Sequence, residues 1–363
     1  MNDKISGGEV LCICIYIIAV SFFGLVNTVT LKIAGNSALI SFLIATIIGL
    51  LPVFMIIFIS KKIDTNLFDF LKNNFSYLGY VIMFILIILT AYLVFIFSWI
   101  FLDFVIGQFL TKTSYYFVAI SLFIFVAYCT KMGIEVISRT TFILFVFSFI
   151  ILMFFLATLI PYTDINNLKP YIDSNSKSII KSIFITCSTT TAPLILILNL
   201  KDKITNKKTF PRKILFGYLI GMIIMFLFML FTILIYGIDF SKILTYPSYS
   251  LFKKVQIFGF IERIENIVSL IFFAGFYASF VYYIYFITDN IKQVFKIKKR
   301  NINVFLIFLT SLSLSILSVY LFKKYNLSFF IDYSCYIISI YYIITFIIFI
   351  RCFFIRKKPY LSK

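Results

Sequence analysis

The sequence predicts an all-α polytopic membrane protein with about ten transmembrane helices. Hydrophobic residues make up 62% of the 363 residues and charged residues only 13%. Soluble domains carry about 45–50% apolar and about 25% charged residues. The apolar residues also form uninterrupted runs, unlike the single apolar stripe of a soluble helix. Runs of about 20 apolar residues match the length that a hydrocarbon layer of about 30 Å requires.

Ten apolar runs follow one another along the chain and predict one transmembrane domain over residues 1–363. They are residues 10–29, 38–59, 78–102, 114–130, 140–160, 179–200, 215–238, 267–287, 304–322 and 327–350. The third run is expected to continue to Leu110, and the fourth is short. The first run is too long for the apolar region of a signal peptide and lacks a cleavage site, so we expect it to remain as helix 1.

The placement of Lys and Arg predicts an integral membrane protein with both termini in the cytoplasm. With the N-terminus inside, about two thirds of the 33 basic residues fall on the inner side. The densest inner segments are 201–213, 288–303 and 351–363. We attribute the net charge of +19 to topology signals and to contacts with membrane lipid. Nucleic acid is not an expected partner, because no basic segment belongs to a soluble domain.

Several classes of function are excluded by what the sequence lacks. Histidine is absent, which rules out His-dependent triads, His metal sites and His proton relays within the chain. The six cysteines lie in or beside the apolar runs and form no C-x-x-C motif, so we expect no disulfide and no metal site. Motifs such as the P-loop, G-x-S-x-G and H-E-x-x-H are also missing. We therefore expect neither an enzyme nor a cofactor.

Ten spans divide naturally into five plus five, which is a recurrent inverted-repeat plan among transporters. The first repeat would cover about residues 9–160 and the second about residues 178–355. In this plan helices 1 and 6 correspond to each other, and both are broken near the middle of the membrane. The sequences of these two helices allow this expectation to be examined.

Helix 6 carries the strongest candidate site, a polar stretch at mid-span that is followed by Ala192 and Pro193. The stretch consists of Thr186, Cys187, Ser188, Thr189, Thr190 and Thr191. Proline removes a backbone donor and clashes with the preceding turn, and hydroxyls can satisfy the carbonyls so freed. We interpret the stretch as an interrupted helix with accessible backbone groups. The alternative is a kinked helix whose hydroxyls bond back to their own turns.

Helices 1 and 8 carry weaker counterparts. In helix 1, Ser21, Gly24 and Asn27 fall in the second half of the run, and glycine permits a break in the backbone. In helix 8, Gly275 belongs to a face of small residues that could line the same cavity. Small residues are equally typical of close packing between helices, so that alternative stays open for both helices.

A site between breaks in helices 1 and 6 would suit a zwitterionic amino acid. Backbone amides at the start of a half-helix attract a carboxylate, and we assign this role to Phe23, Gly24 and Leu25. Free carbonyls and hydroxyls attract an ammonium group, and we assign this role to Thr186–Thr191. No carboxylate or lysine lies near this proposed site in the sequence, so the sequence does not favour a proton-coupled pump.

Charged residues near the spans are few and lie at helix ends. They include Asp103 on helix 3, Asp332 near the start of helix 10, and Glu262, Arg263 and Glu265 where helix 8 begins. Ionisable groups inside a membrane are functional candidates, but positions at helix ends favour interfacial ion pairs.

Four stretches resemble the B subunits of spore germinant receptors, the GerB-type permeases of the amino acid–polyamine–organocation superfamily. They are Lys4-Ile5-Ser6, the loop 34–41 into helix 2, the stretch 131–139 with Glu135 and Arg139, and Tyr246-Pro247 followed by 260–265 with Glu262, Arg263 and Glu265. The stretches occur in the order typical of the family. Two departures fall at the expected ligand site: Val20 and Phe22 replace a G-x-G-like break, and Thr and Ser replace a G-F-E-like stretch in helix 6.

The resemblance implies a LeuT-like fold with broken helices 1 and 6. It also implies a role in sensing a nutrient germinant, often an amino acid, in the inner membrane of a dormant spore. The implied partners are a membrane A subunit and a lipoprotein C subunit. Two alternatives stay open: an amino-acid permease that carries out net transport, and a structural scaffold with a degenerate ligand site.

Overall fold

The computed structural model describes residues 4–21, 26–172, 174–254 and 265–297, most of 306–320, and 327–354. Within these residues the secondary structure is helical, apart from an isolated parallel bridge between Ile5 and Ile204. Helices satisfy their own backbone hydrogen bonds, which a segment inside lipid must do. The predicted all-α class is confirmed.

Twelve α-helices with defined bounds, and further helical residues between 306 and 320 that we label α12, follow one another in this part of the chain. They are α1 (Gly7–Ser21), α2 (Asn27–Ala34), α3 (Ala38–Lys62), α4 (Leu67–Phe75), α5 (Tyr77–Gln108), α6 (Tyr115–Lys131), α7 (Ile134–Leu159), α8 (Ser176–Thr191), α9 (Phe210–Ile243), α10 (Pro247–Ser250), α11 (Glu265–Val294), α12 (the helical residues described between 306 and 320) and α13 (Leu327–Phe354). A 3₁₀-helix, Ala192–Leu200, continues α8.

Seven helical segments among the described residues are long and apolar enough to cross a membrane. Of two shorter apolar helices, α6 coincides with the predicted fourth span, and α1 covers the first part of the predicted first span, up to Ser21. The predicted ninth span coincides with α12, which is described in part. The polytopic membrane character is therefore confirmed, while the count of ten spans and the five-plus-five repeat stay predictions.

The segment Ser176–Leu200 and helix α11 lie at the centre of the bundle. In their apolar windows 89% and 78% of the residues are buried, against 28% for the segment Ile134–Tyr162 that contains α7. Helix α1 is almost wholly buried as well, and it packs against α7, α9 and α11. The outward sides of α3 and α7 expose residues such as Leu51 and Phe147, as expected for helices that face lipid.

Two glycines set the close approach of α9 to α1. A Cβ atom at Gly217 would lie 2.6 Å from Cβ of Cys14 and 3.1 Å from the carbonyl oxygen of Leu11. A Cβ atom at Gly221, one turn further, would lie 3.1 Å from Cδ1 of Ile18. Small residues four apart are what allows helix backbones to approach in a membrane.

Polar contacts join several chain segments at one end of the bundle, which we call the basic face. It consists of residues 4–6, 61–76, 200–213 and 289–297. Ile5 donates its N–H to the carbonyl of Lys203 at 2.9 Å and accepts from the N–H of Thr205 at 3.0 Å. The side chain of Asn66 donates to Gln293 at 3.1 Å. This is the face that the distribution of Lys and Arg predicts to be cytoplasmic.

At the opposite end, α9 bends and the chain returns across the bundle. Gly237 has φ 66° and ψ 171° inside α9, a conformation that glycine adopts without steric cost. Helix α10 and the 3₁₀ turn Leu251–Lys254 then follow. Tyr249 and Phe252 are buried, whereas the two lysines that end the turn are exposed. These turns are therefore amphipathic.

Candidate functional site

The polar stretch of helix 6 lies where an α-helix becomes a 3₁₀-helix. Helix α8 begins after Asn175, whose side chain accepts the N–H of Ser178 at 2.9 Å, and it ends at Thr191. The 3₁₀-helix begins at Ala192, and Pro193 lies in its first turn. Proline has no N–H to donate, so the α-helical bond to the carbonyl four residues earlier cannot form. That carbonyl belongs to Thr189.

Helix 1 supplies the missing donor. The hydroxyl of Ser21, the last residue of α1, donates to the carbonyl oxygen of Thr189 at 2.8 Å. It also lies 3.4 Å from the carbonyl of Ile17 in its own helix. Both Ser21 and Thr189 are buried. Helices 1 and 6 are therefore joined at the carbonyl that Pro193 leaves without its helical partner.

Three hydroxyls of the polar stretch bond back to their own helix, as the alternative interpretation expects. Thr189 donates to Ile185 at 2.8 Å, Thr190 to Thr186 at 2.6 Å and Thr191 to Cys187 at 2.9 Å. Such bonds stabilise a polar side chain inside a helix without any ligand.

Two other hydroxyls of the stretch, those of Thr186 and Ser188, are different. Both are buried, and neither has a hydrogen-bond partner among the described residues. A buried hydroxyl without a partner costs about 1–3 kcal/mol, so such groups indicate a site for a polar molecule. Residues two apart do not face each other on a helix, so these hydroxyls point toward different neighbours of α8.

Helix α13 contributes Tyr342, which the sequence analysis did not select. Its hydroxyl donates to the carbonyl of Cys187 and contacts the hydroxyl of Thr191, both at 2.5 Å. Tyr282 of α11 similarly donates to the carbonyl of Leu196 in the 3₁₀-helix at 2.8 Å. Tyrosines within apolar spans, which need a partner when buried, were the available sequence signal.

The small-residue face of helix 8, which includes Gly275, packs against helix 1. Ala274 and Ala278 form a cluster with the ring of Tyr16. Ser279 donates to the carbonyl of Tyr16 at 3.0 Å and to that of Gly275 at 2.9 Å. The contacts of this face are those of helix packing.

A cavity of about 30 Å³ lies between α1, α7, α9 and α11. Tyr16, Ala19 and Ser148 are among its lining residues, and the hydroxyl of Tyr16 donates to Ser148 at 3.2 Å. This volume holds about one or two water molecules. A larger groove of about 430 Å³ on the other side of α8 is almost wholly apolar and includes the exposed Leu51 and Ile180, so it faces lipid.

At the end of the bundle opposite the basic face, the residues around the start of α10 contact α5 and α2. Tyr246 donates to the carboxylate of Asp103 at 2.5 Å, and burial, together with that carboxylate, raises the pKa of Tyr246 well above its usual range. Asn27 of α2 donates to the hydroxyl of Ser248 at 2.7 Å. The carboxylate of Asp103 therefore has a neutral donor as partner.

Glu135 and Arg139 lie near the start of α7 and pair with each other at 2.6 Å. The neighbouring Ser138 donates to the carboxylate of Glu9 at 3.2 Å. Glu9 also accepts the N–H of Ser6 at 2.8 Å, which forms a capping box at the start of α1. The stretch 135–139 therefore holds the start of α1 against the start of α7.

Five predicted site residues fall wholly outside the described residues. Phe23, Gly24 and Leu25, which we assigned to the ligand carboxylate, lie between α1 and α2, and Glu262 and Arg263 lie before α11. Glu265 begins α11, and its side chain is likewise outside the described residues.

A half-buried charged cluster lies at the basic face, and the expectations from the sequence did not include it. Lys203 pairs with Asp289 of α11 at 3.1 Å and contacts the hydroxyl of Tyr285. Asp289 also accepts from Gln293 at 3.1 Å and from Asn199 at 3.4 Å. The triplet Thr-Asp-Asn at 288–290, inside an otherwise apolar helix, was the sequence signal for this cluster.

Comparison with solved structures identifies the architecture. The chain is similar to a Na⁺-coupled sialic acid symporter, determined in a substrate-bound outward-open state, with a TM-score of 0.67 and 14% identity. The match covers 96% of this chain and 79% of the symporter chain. The protein therefore has the LeuT-like transporter fold, whereas this low identity carries no statement about substrate.

Comparison with known sequences identifies the family. Spore germination protein A2 of Bacillus subtilis (strain 168) is 28% identical over 138 residues, which is 38% of each chain. This alignment therefore spans well under half of that relative. A family model described as spore germination protein matches residues 5–322, nearly the whole chain. The chain belongs to this family of spore germination proteins, the spore permeases.

Proposed function

We propose that this protein is the membrane subunit of a nutrient germinant receptor, which senses a small germinant such as an amino acid and triggers spore germination. Membership of the spore germination family and the transporter fold support a germination-related membrane role. The observation that carries the site assignment is the bond between Ser21 and the Thr189 carbonyl. It lies beside the hydroxyls of Thr186 and Ser188, which have no hydrogen-bond partner in the part of the chain that the structure describes.

In this proposal the germinant binds where helices 1 and 6 meet. The oxygens of Thr186 and Ser188 can each accept a hydrogen bond from a polar group of the germinant, such as its ammonium group, which gains most in a site sheltered from water. Because the two residues lie on different sides of α8, they would bind different polar groups of the germinant. The carboxylate would bind to backbone amides near Phe23, Gly24 and Leu25. Gly275 would allow helix 8 to lie close to the same centre.

The proposed setting is a receptor complex in the inner membrane of the spore. The partners would be a membrane A subunit and a lipoprotein C subunit, with both termini of this chain in the cytoplasm. The similarity to Spore germination protein A2 of Bacillus subtilis supports a role of this chain in germination. Glu135, Arg139 and the segment with Glu262, Arg263 and Glu265 would have structural or coupling roles.

Net transport of an amino acid is the second candidate function, since the fold is that of a transporter. Flux of the germinant into proteoliposomes that contain this protein alone would favour it. A scaffold with a degenerate site is the third candidate, supported by the hydroxyls that bond back to helix 6. Direct binding of a germinant would contradict that candidate.

The test is the release of dipicolinic acid from spores, compared between the wild type and a deletion of this gene. The panel consists of single amino acids and single nucleosides. We expect the deletion to abolish the response to one nutrient and to leave the others unchanged. An unchanged response to every nutrient that germinates the wild type would contradict the receptor proposal.

A further inference from the structure

A basic cavity of about 550 Å³ lies at the basic face, where α3 ends and α9 begins. It is separate from the contact between helices 1 and 6. Its lining residues are Phe54, Ile57, Lys61, Asp64, Lys201, Lys207, Lys208, Pro211, Arg212 and Leu215. Five cationic side chains therefore surround one carboxylate, and this excess of positive charge favours an anionic ligand.

The protein itself orders part of this cationic wall. Lys201 is 3% exposed, and its ammonium group donates to the carbonyl of Lys207 at 2.9 Å. The ammonium group of Lys207 donates in turn to the backbone carbonyl of Asp64 at 2.6 Å. These bonds hold the loop 201–209 against the end of α3. Backbone carbonyls carry no net charge, so they leave both lysines positive.

Three further cations are open to an outside ligand. Lys61, Lys208 and Arg212 are exposed, and none of them has a carboxylate partner among the described residues. Guanidinium and ammonium groups that converge in this way are typical of phosphate recognition.

The other wall of the cavity is apolar and runs toward the middle of the membrane. Phe54 lies seven residues before Lys61 in α3, which is about 10 Å along a helix. Ile57 and Leu215 are on the same wall, and Phe54 is 52% exposed. A free phosphate would use the cations but not this wall, whereas a phospholipid would use both.

We propose that this cavity binds an anionic phospholipid of the surrounding membrane, with its phosphate among Lys61, Lys208 and Arg212. One acyl chain lies along Phe54, Ile57 and Leu215. A basic pocket between membrane helices at the cytoplasmic end is a suitable place for such a head group. The bound lipid holds the loop 201–209 against α3.

Native mass spectrometry of the full-length protein in detergent tests this proposal. The probes are phosphatidylglycerol and phosphatidylcholine with the same acyl chains, and inorganic phosphate in a separate titration. The variant is Lys61→Gln/Lys208→Gln/Arg212→Gln. The matched control is Lys4→Gln/Lys72→Gln/Lys296→Gln, which removes three exposed cations from the rest of the basic face and its edges.

We expect the wild type and the control to bind one phosphatidylglycerol about tenfold or more tightly than phosphatidylcholine, and the variant to lose this preference. Equal binding of the two lipids by the wild type, or a preference retained by the variant, would overturn the proposal. Displacement of phosphatidylglycerol by millimolar inorganic phosphate would also overturn it, because the site would then serve a soluble anion.

A second variant tests the proposal if the triple variant does not fold. Lys208→Glu changes one exposed loop residue, and its elution volume and melting temperature report whether the fold is kept. We expect it to weaken phosphatidylglycerol binding several-fold and to leave phosphatidylcholine binding unchanged. Unchanged binding of both lipids by this variant would count against the site.

Discussion

Ser21 illustrates how one hydroxyl can compensate for a proline on another helix. Pro193 leaves the carbonyl of Thr189 without its α-helical donor, and Ser21 supplies a donor at 2.8 Å. In lipid no water is available to do so. The end of α1 and the end of α8 are therefore joined at this carbonyl without any ligand.

Replacement of Ser21 by alanine tests this contact. We expect Ser21→Ala to lower the free energy of unfolding by about 1–3 kcal/mol, because a buried carbonyl loses a partner. The measurement is the melting temperature of the purified protein in detergent. Ser98→Ala is the matched control, since that buried hydroxyl donates within its own helix, to Phe95. Equal melting temperatures for the two variants would contradict the role of Ser21.

The sequence predicted these residues only in part. The run Thr186–Thr191 with Pro193 marks the site because six polar side chains inside an apolar span are conspicuous. Tyr342 could not be selected, since many tyrosines lie in the spans and its partner, the Cys187 carbonyl, is set by the packing of α13. Which hydroxyls lack a partner likewise depends on tertiary contacts that a sequence pattern does not contain.

At the scale of elements, the change from α8 to a 3₁₀-helix is the feature most closely connected with the proposed site. The 3₁₀-helix Ala192–Leu200 is nine residues long, although runs beyond three or four are uncommon. Its backbone is kept in place by side chains from neighbouring helices, such as Tyr282 at the Leu196 carbonyl. Because neighbouring helices supply these hydrogen bonds, the backbone conformation of the 3₁₀-helix depends on where those helices lie.

Replacement of Pro193 tests whether this change of helix type matters. We expect Pro193→Ala to keep or raise the melting temperature, because proline inside a helix costs about 3 kcal/mol. We also expect it to impair germinant-triggered dipicolinic acid release, since a regular α-helix would pair the Thr189 carbonyl internally. Pro52→Ala is the control, as Pro52 lies inside α3 at a lipid-facing groove. A normal response from Pro193→Ala spores would contradict the link.

Element boundaries were largely predictable from apolar runs. The second, third, seventh and tenth predicted spans fall inside α3, α5, α9 and α13, and the fourth is shifted by one residue from α6. The runs underestimate helix length where polar ends continue the helix: α7 begins at Ile134, six residues before its run. Hydropathy does not detect the polar first turn of a helix, whereas the backbone hydrogen bonds in the structure include that turn in the helix.

At the scale of the whole molecule, the half-buried ion pair of Lys203 and Asp289 joins the loop after the 3₁₀-helix Ala192–Leu200 to α11 at the basic face. Burial alone would lower the pKa of Lys203, but Tyr285, Asp289 and Asp202 outweigh burial and raise the pKa above its ordinary value of 10.5. The stabilisation from this ammonium group is therefore fully present below pH 10.5 and is lost as the pH rises through the folded pKa.

The pH dependence of unfolding tests this cluster. We expect Lys203→Gln to cost about 1–3 kcal/mol, because a half-buried carboxylate loses its cationic partner and keeps only neutral donors. The difference in melting temperature from the wild type should be constant from about pH 6 to about pH 9 and should shrink above about pH 10.5. Lys296→Gln, at an exposed position, should melt like the wild type. A difference that grows toward high pH would contradict the assignment.

The whole-molecule architecture followed from composition and from the family resemblance together. Composition predicts the spans, but their arrangement in a LeuT-like bundle rests on the resemblance and on the similarity to the symporter structure. The identity of the germinant has no such support, because this sequence departs from the family pattern at Val20 and in helix 6, which belong to the proposed site. A site that differs from its relatives must be tested on this chain.

The most direct test removes the two partnerless hydroxyls at that site. We compare the germinant concentration for half-maximal dipicolinic acid release between wild-type spores and Thr186→Val/Ser188→Ala spores. The control is Thr141→Val/Ser98→Ala, which removes two buried hydroxyls that donate within their own helices. Because Thr186 and Ser188 have no partner among the described residues, their removal should not destabilise the protein.

We predict that the site variant needs at least about tenfold more germinant, which corresponds to the loss of about 1.4 kcal/mol of binding free energy. Its melting temperature should equal or exceed that of the wild type, and the control should respond normally. An unchanged half-maximal concentration in the site variant would contradict a germinant site between helices 1 and 6.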